Sequence, residues 1–219
     1  MAKAYKGVAM EGVIARWYAR NTRQGRGFDE LARRVAQLLP AGGSVLEVAP
    51  GPGFLSVEIA KMGRCRVSGV DISQTFVEIE RANARAAGVE IDFRQGDAAS
   101  LPFGDGSFDL VICTAAFKNF TCPARALGEM YRVLRPGGKA LVIDLRRDAS
   151  RAEINREVEG MGQNWANTLL TKWTFFQVLL KNAYTEEQIR GFLAQAGIPG
   201  ARIDTSGVGF EIWLEKSGS

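Results

Sequence analysis

The sequence predicts an α/β fold in which a mostly parallel β-sheet is covered by helices on both faces. Short apolar runs typical of buried strands alternate with amphipathic helical patterns from Ser44 onward. A turn rich in glycine and proline joins the first of these strands to the first of these helices, the junction at which open parallel sheets bind ligands. The chain has 219 residues, of which 46% are apolar, and this suffices for one large core.

The alternation places the strands and helices of the central region. Strand patterns occur at Ser44–Val48, Arg66–Val70, Glu90–Arg94, Phe108–Cys113 and Lys139–Leu145. Helical patterns occur at Leu55–Met62, Thr75–Ala87 and Ala124–Leu134. Ser73 is expected to cap the second of these helices. Because helical segments connect most of the strands, the strands are expected to run parallel.

The end of the chain has a different pattern. A helix is predicted at Thr185–Ala196, with Thr185 and Gln188 forming a capping box. Two further strand patterns, Ala201–Thr205 and Val208–Leu214, are separated by the dipeptide Ser-Gly. They predict an antiparallel hairpin at the edge of a sheet with seven strands in all.

Two segments lie outside the alternation of strands and helices. Val8–Asn21 is amphipathic, with Trp17 and Tyr18 on one helical face and arginines around another. Glu153–Ala183 is rich in large apolar side chains, among them Trp165, Trp173 and Phe176. These side chains are expected either to pack into the main core or to line a ligand pocket or lid.

A single domain with four parts accounts for this organisation. The parts are an N-terminal helical cap at 1–43, a ligand-binding core at 44–147, a helical insertion or lid at 148–184, and a C-terminal helix and hairpin at 185–219. No apolar stretch reaches the length that spans a bilayer, and no signal peptide is expected. A cytoplasmic location is therefore expected.

The composition excludes several kinds of site. The chain contains no histidine, which removes the usual imidazole base, most zinc sites and Ser-His-Asp catalysis. The three cysteines, Cys65, Cys113 and Cys122, lack metal-binding spacing and suit a reducing compartment. Residues 1–43 carry eight Lys and Arg against three Asp and Glu. This excess is typical of a solvated helix face, and it also fits an acidic substrate, an anionic membrane surface or nucleic acid.

The stretch SVLEVAPGPGFLSVEIA, Ser44–Ala60, predicts a cofactor site. Gly51 and Gly53 let the backbone approach a ligand and leave amide groups free at the N-terminus of the next helix. Asp71 follows Gly53 by 18 residues and ends the second strand, where a carboxylate can accept both hydroxyl groups of a ribose. These residues fit a nucleoside-containing cofactor. The loop is not GxGxxG, which argues against a nicotinamide or a flavin.

Three later motifs narrow the choice of cofactor. They are GDAASLPF (Gly96–Phe103), FDLVICTAAFKNF (Phe108–Phe120) and EMYRVLRPGGKALVIDL (Glu129–Leu145). Together with the glycine loop, and in this order, they resemble the class I S-adenosylmethionine (SAM)-dependent methyltransferases, specifically the group that includes the ubiquinone and menaquinone C-methyltransferases. The resemblance covers residues 42–147 and implies a Rossmann-like fold, SAM as cofactor and S-adenosylhomocysteine as product.

The resemblance also implies which residues hold the cofactor. The matching positions are Glu47, Ala49, Gly51, Gly53, Asp71, Ile72, Asp97, Ala98 and Thr114. Glu47, Ala49, Gly51 and Gly53 match the motif around the methionine part of SAM. Asp71 matches the acid that binds the ribose, and Ile72 matches the apolar residue that packs on adenine. Asp97 and Ala98 match positions near the adenine amino group and a ring nitrogen, and Thr114 matches a position beside the sulfonium. No metal ion is expected.

Ala49 departs from the family pattern, which usually has glycine at this position. Its methyl group can be accommodated if φ at Ala49 is negative. Pro50 and Pro52 remove two backbone donors and pre-set φ. The loop is therefore expected to be stiff and to lose little entropy when a ligand binds.

The reaction implied by the resemblance moves a methyl group from a positively charged sulfur to a lone pair or carbanion. Positioning is the main contribution of the protein, and a base is needed only when the acceptor is protonated. The candidate catalytic residues are Asp144, Asp148, Lys118, Asn119 and Tyr18. Some have structural alternatives, since Asp148 could pair with Arg146 or Arg147 and Asn119 could cap a turn.

The predicted function is methyl transfer from SAM to a small, fairly apolar acceptor. The residues 114–117, Thr-Ala-Ala-Phe, differ from the Asn/Asp-Pro-Pro-aromatic sequence of enzymes that methylate amino groups of adenine or glutamine. Two alternatives stay open: a SAM-binding module without its own catalysis, and a membrane-peripheral or RNA methyltransferase that uses the basic N-terminal helix. Acceptor specificity is expected to lie in the N-terminal helix and the aromatic insertion.

Overall fold

A seven-stranded β-sheet forms the centre of the protein. The computed structural model describes residues 5–6, 10–22, 27–160 and 180–218. The strands are β1 (Ser44–Val48), β2 (Arg66–Asp71), β3 (Asp92–Gln95), β4 (Phe108–Thr114), β5 (Leu134–Leu145), β6 (Arg202–Ser206) and β7 (Gly209–Glu215). Their order in the sheet is β3-β2-β1-β4-β5-β7-β6. The first five pair in parallel, and β7 pairs antiparallel with both β5 and β6, which confirms the predicted fold class.

Seven helices are described, together with a 3₁₀ turn at Phe117–Asn119. They are α1 (Gly12–Thr22), α2 (Phe28–Leu38), α3 (Phe54–Lys61), α4 (Gln74–Ala87), α5 (Pro123–Arg132), α6 (Arg151–Gly160) and α7 (Glu186–Gln195). The helices predicted in the central region and at the C-terminal end are confirmed, with small shifts at their ends. Among the described helices, none has the length and apolarity that crossing a bilayer requires. The predicted aromatic insertion residues Trp165, Trp173 and Phe176 lie outside the described residues.

Both faces of the parallel sheet are buried. All five residues of β1 are buried, and successive side chains enter different cores. Leu46 and Val48 pack in the cluster that also contains residues of α5 and α7. Val45 packs in the opposite cluster, with residues of α2 and α3. This two-sided burial explains why the central strands are almost continuously apolar in sequence.

β5 begins earlier than the predicted start at Lys139. The strand starts at Leu134, and residues 136–138, Pro-Gly-Gly, bulge from the ladder with β4. A Cβ atom at Gly138 would lie 2.9 Å from the carbonyl oxygen of Arg135, and so this position requires glycine. The Pro-Gly-Gly segment is therefore a bulge within the strand.

The predicted caps are present. The Ser73 hydroxyl accepts a hydrogen bond from the Phe76 amide at 3.1 Å, and Thr185 and Gln188 form a reciprocal capping box. In the hairpin, Ser206 pairs directly with the first residue of β7, so that the two-residue turn is Gly-Val, one position later than predicted.

The N-terminal cap is fastened to the start of α4. The Glu11 carboxylate accepts hydrogen bonds from the backbone amides of Gln74 at 3.0 Å and Thr75 at 3.1 Å. The Ser73 hydroxyl donates to the Met10 carbonyl at 2.6 Å. An acidic side chain at a helix N-terminus is favourable because it meets unpaired amides and the positive end of the helix dipole. These bonds place α1 over the carboxyl end of β2.

Candidate active site

A cavity of roughly 630 Å³ lies at the carboxyl ends of β1, β2 and β4. Residues 47–52 line one side of it, and Met10, Glu11 and Tyr18 line another. β1 lies between β2 and β4 in the sheet, at the point where chain connections lead to opposite faces. Open parallel sheets bind their ligands beyond the strand ends at this point, and the cavity is therefore the candidate active site.

The loop between β1 and α3 alternates two backbone conformations. Ala49, Gly51 and Gly53 have φ values of +57°, +60° and +74°, and Pro50 and Pro52 stand between them. The condition under which the Ala49 methyl group would be accommodated without strain, a negative φ, is not met. An L-residue in the left-handed region costs about 1–2 kcal/mol, which explains the preference of the family for glycine at this position. The Ala49 amide still joins the sheet, donating to the Val70 carbonyl at 2.7 Å.

Asp71 connects this loop to α4. Its carboxylate accepts hydrogen bonds from the backbone amides of Gly51 at 3.1 Å and Ser73 at 2.9 Å. Burial raises the pKa of Asp71 to about 6, and these hydrogen bonds act in the opposite direction. A carboxylate has about four acceptor positions, and so Asp71 can still accept the two hydroxyl groups of a ribose.

Glu47 lies below the loop as a second buried acid. The Ser56 hydroxyl, from α3, donates to the Glu47 carboxylate at 2.5 Å. Burial raises the pKa of Glu47 to about 7, and the bond from Ser56 lowers it. The side chain lines the cavity, where it can meet a cationic group of a ligand.

Glu80 is a third buried acid, which the sequence analysis missed. Its side chain is fully buried in α4, and neither carboxyl oxygen has a hydrogen-bond partner among the described residues. Burial, and after it the charges of Asp71 and Glu47, raise the pKa of Glu80 to about 10. The signal was available, because position 80 falls on the same helical face as the buried Phe76 and Ala84.

The far end of the cavity is lined by Ile72, Asp97 and Ala98. The Asp97 carboxylate accepts a hydrogen bond from the Ala99 amide at 2.9 Å, which fixes its orientation. Ile72 keeps 40% of its surface exposed and offers an apolar contact for a ring. The arrangement suits a flat, nitrogen-containing ring with an exocyclic donor.

Comparison with known proteins identifies the core. A methyltransferase-domain family model matches residues 46–142. A demethylmenaquinone methyltransferase of Thermus thermophilus is 40% identical over 101 residues, which are 46% of this chain and 46% of that protein. Residues 46–142 are a methyltransferase domain. The resemblance inferred from the motifs is thereby confirmed.

Two further comparisons extend beyond the methyltransferase domain. A ubiquinone biosynthesis O-methyltransferase of Xanthomonas axonopodis pv. citri is 28% identical over 183 residues, 83% of this chain and 72% of that protein. A crystal structure of a Methanococcus maripaludis protein has the same fold, with a TM-score of 0.73 and 21% identity. The superposition covers 100% of this chain and 98% of that protein. The alignments span about half the length of the demethylmenaquinone methyltransferases that the chain matches.

SAM, the cofactor of this domain class, fits the residues of the cavity. All of the predicted cofactor positions line it except Gly53. A Cβ atom at Gly53 would lie 3.1 Å from the Glu80 side chain, and so this glycine closes the loop against α4. Among the described residues, no side chain caps the N-terminus of α3 at Gly53, and the amides of its first turn can meet a ligand carboxylate. The acids Glu47 and Asp71 suit the ammonium or sulfonium and the ribose of SAM.

The candidate catalytic residues fall into two groups. Lys118, Asn119 and Tyr18 line the cavity, whereas the lining described does not include Asp144 or Asp148. Asp144 is buried behind the wall, where Lys118 donates to its carboxylate at 2.8 Å. Asp148 is partly exposed, with its carboxylate 3.9 Å from the Arg146 guanidinium.

Tyr5 and Asn182 also line the cavity and were missed by the sequence analysis. The backbone of Tyr5 forms a bridge with Phe120, and the next amide donates to the Asn119 carbonyl at 2.8 Å. Burial raises the pKa of Tyr5, and a side-chain hydrogen bond with Asn119 lowers it. No motif or spacing marks these two residues, because only the folded chain brings them beside β4.

Proposed function

We propose that the chain transfers a methyl group from SAM to a small, fairly apolar acceptor of the quinol or phenol class. The observation that carries the proposal is one continuous cavity that joins the cofactor positions to Tyr5, Tyr18 and Asn119. The names of the relatives, demethylmenaquinone methyltransferase and ubiquinone biosynthesis O-methyltransferase, support an acceptor with such a ring. SAM supplies a methyl group on a positively charged sulfur.

The cofactor end of the cavity would orient the methyl group. Asp71 would hold the ribose, and the amides at the start of α3 would hold the carboxylate of the methionine part. Glu47, beneath the loop, would balance positive charge on the ligand. These contacts fix the direction in which the methyl group points, and positioning of this kind can supply several kcal/mol of the barrier reduction.

The acceptor end combines ring surfaces with a few polar groups. Tyr18, held edge-on to Phe76 with ring centres 6.1 Å apart, would cover a ring-shaped acceptor. The Tyr5 hydroxyl is protonated at neutral pH, as for any tyrosine, and can donate a hydrogen bond to an acceptor oxygen. Asn119 would orient that hydroxyl. A quinol or phenol that ionises at working pH would need no dedicated base.

The test is turnover with methyl-labelled SAM and a panel of acceptors. The panel contains reduced short-chain demethylmenaquinone, simple phenols and an unmodified RNA. We expect labelled product from the quinol or phenol acceptors. Tyr5→Phe should lower kcat roughly five- to tenfold without changing SAM affinity, since it removes one hydrogen bond to the acceptor. Tyr131→Phe, a half-buried tyrosine on α5, is the matched control.

Two outcomes would overturn the proposal. Tight SAM binding without turnover on any quinol or phenol would favour a binding module. Turnover on the RNA alone would show that RNA, and not a quinol or phenol, is the acceptor.

The buried pairing of Lys118 with Asp144 favours catalysis by positioning over base catalysis, because it occupies two of the candidate bases.

A further inference from the structure

The outward side of α1 exposes several large apolar side chains. Val13, Trp17 and Ile14 are 79%, 65% and 46% exposed. Among the described residues, the other large apolar side chain with comparable exposure is Ile72, which lines the cavity. Grouped apolar side chains on a protein surface usually mark a contact with a partner or a membrane.

Two arginines share this exposed side of the helix with Trp17, whereas the sequence pattern predicted them on another face. Val13 and Trp17 are four residues apart, as are Arg16 and Arg20, and so each pair lies along one line of the helix. Both arginines are exposed. On the opposite side, Ala15 is fully buried. The helix therefore separates a side that packs on the domain from an outer face that is both apolar and cationic.

No acidic residue occurs in α1 to neutralise these arginines. The acid that precedes the helix, Glu11, is turned toward α4, where it accepts hydrogen bonds from the Gln74 and Thr75 amides. The surrounding segment adds to the positive field, since residues 1–43 carry eight Lys and Arg against three Asp and Glu. The outer face of α1 therefore attracts anionic surfaces.

A bilayer with anionic lipids complements both properties of this face. Apolar side chains and Trp partition into the interface between headgroups and acyl chains, while arginines meet the lipid phosphates. A nucleic acid would satisfy Arg16 and Arg20 but would leave Val13 and Ile14 in water. The bilayer is the partner that accounts for the apolar and the charged residues together.

We propose that the outer face of α1, formed by Val13, Ile14, Arg16, Trp17 and Arg20, binds the surface of an anionic membrane. The helix also forms one wall of the cavity through Tyr18 and Thr22. Binding through the outer face would therefore hold this wall next to the bilayer, where an apolar acceptor can enter without crossing bulk water. Membrane binding rests on α1 alone and does not depend on the proposed methyl transfer.

Sedimentation with vesicles of phosphatidylcholine, with and without phosphatidylglycerol, tests the proposal on the full chain. We expect binding to the anionic vesicles, weaker binding to the neutral ones, and a decrease with salt. Trp17→Ala should lower the affinity about tenfold or more, through lost apolar burial. Arg16→Gln and Arg20→Gln should each lower it about fivefold, the effect of one cation near an anionic surface. The emission of Trp17 should shift to shorter wavelength on binding, with Trp17→Phe as the reference.

Matched controls separate this face from general basicity. Arg64→Gln and Arg85→Gln remove the same charge from exposed positions elsewhere and should leave vesicle binding unchanged. Unchanged SAM affinity in the Trp17 variant would show that its fold is intact.

Absence of vesicle binding, or binding that Trp17→Ala leaves unaltered, would overturn the proposal. An affinity for RNA equal to that for anionic vesicles would also overturn it, if Arg16→Gln and Arg20→Gln abolish RNA binding and Trp17→Ala does not. Loss of methyl transfer with intact vesicle binding would count against the proposed function only.

Discussion

The Nζ atom of Lys118 lies 2.8 Å from Oδ1 of Asp144, with both side chains almost completely buried. The same Nζ donates to the Ala115 carbonyl at 2.6 Å, and the Lys118 amide donates to the other carboxylate oxygen at 2.8 Å. Ala115 has a φ of +56°, an unfavourable conformation for an L-residue. The pair therefore joins the exit of β4 to β5 and holds the turn that forms one wall of the cavity.

Breaking this pair should destabilise the protein strongly. Lys118→Met leaves the Asp144 carboxylate buried without its partner, and each single replacement should lower the free energy of unfolding by about 3–5 kcal/mol. Asp144→Asn strands the ammonium group in the same way. Lys118→Met combined with Asp144→Asn should cost less than the sum of the two single changes, because it leaves no unpaired charge. Urea unfolding measures all of the variants, and additive losses would contradict the assignment.

Asp71 should determine cofactor affinity. Asp71→Ala removes one or two charge-assisted hydrogen bonds to the ribose, each worth about 1.5–3 kcal/mol. We expect SAM and S-adenosylhomocysteine to bind at least tenfold more weakly in calorimetric titration. Asp92→Ala, which removes an exposed acid on β3, should leave the affinity unchanged. Equal affinity in the Asp71 variant and the parent would remove Asp71 from the site.

Glu80 should make stability depend on pH. Its pKa rises from 4.5 to about 10 on folding, and so folding binds a proton over this interval. The stability contributed by the neutral carboxyl is complete below pH 4.5 and is lost as the pH rises toward 10. Glu80→Gln stays neutral at every pH, and the free energy of unfolding of this variant should exceed that of the parent increasingly from pH 5 to 9.

The control for this effect lies on the same helix. Glu78 is exposed on α4, and Glu78→Gln should leave the pH dependence of unfolding as it is in the parent. Chemical unfolding at several pH values provides the measurement. Parallel stability curves for the parent and Glu80→Gln would show that the Glu80 carboxyl is not held neutral.

Ala49 offers a stabilising substitution in the cofactor loop. Ala49→Gly relieves the left-handed strain of about 1–2 kcal/mol, partly offset by the greater freedom of glycine in the unfolded chain. We expect the free energy of unfolding to rise by about 0.5–1 kcal/mol. Ala194→Gly, at an exposed position inside α7, should have the opposite sign and cost about 1 kcal/mol. A loss of stability in Ala49→Gly would contradict the backbone conformation described.

The spacing of apolar residues and the turn-forming residues within short stretches of sequence determined most of the fold. The apolar strands, the capping residues Ser73 and Thr185 and the glycine loop are read from neighbouring residues, because hydrophobic period and turn chemistry act over short distances. The same local motifs located the acids Asp71 and Asp97 at strand ends. The family and its cofactor follow from these motifs taken in order.

Only the tertiary structure decided how distant residues act together. It paired Lys118 with Asp144, brought Tyr5 beside Asn119 and buried Glu80 beneath the loop, and none of these contacts lies within a single motif. It also set φ at Ala49, because the course of the loop between the sheet and α3 overrides the preference of one residue. Burial and long-range contact depend on how the elements pack, and this information is spread over the whole chain.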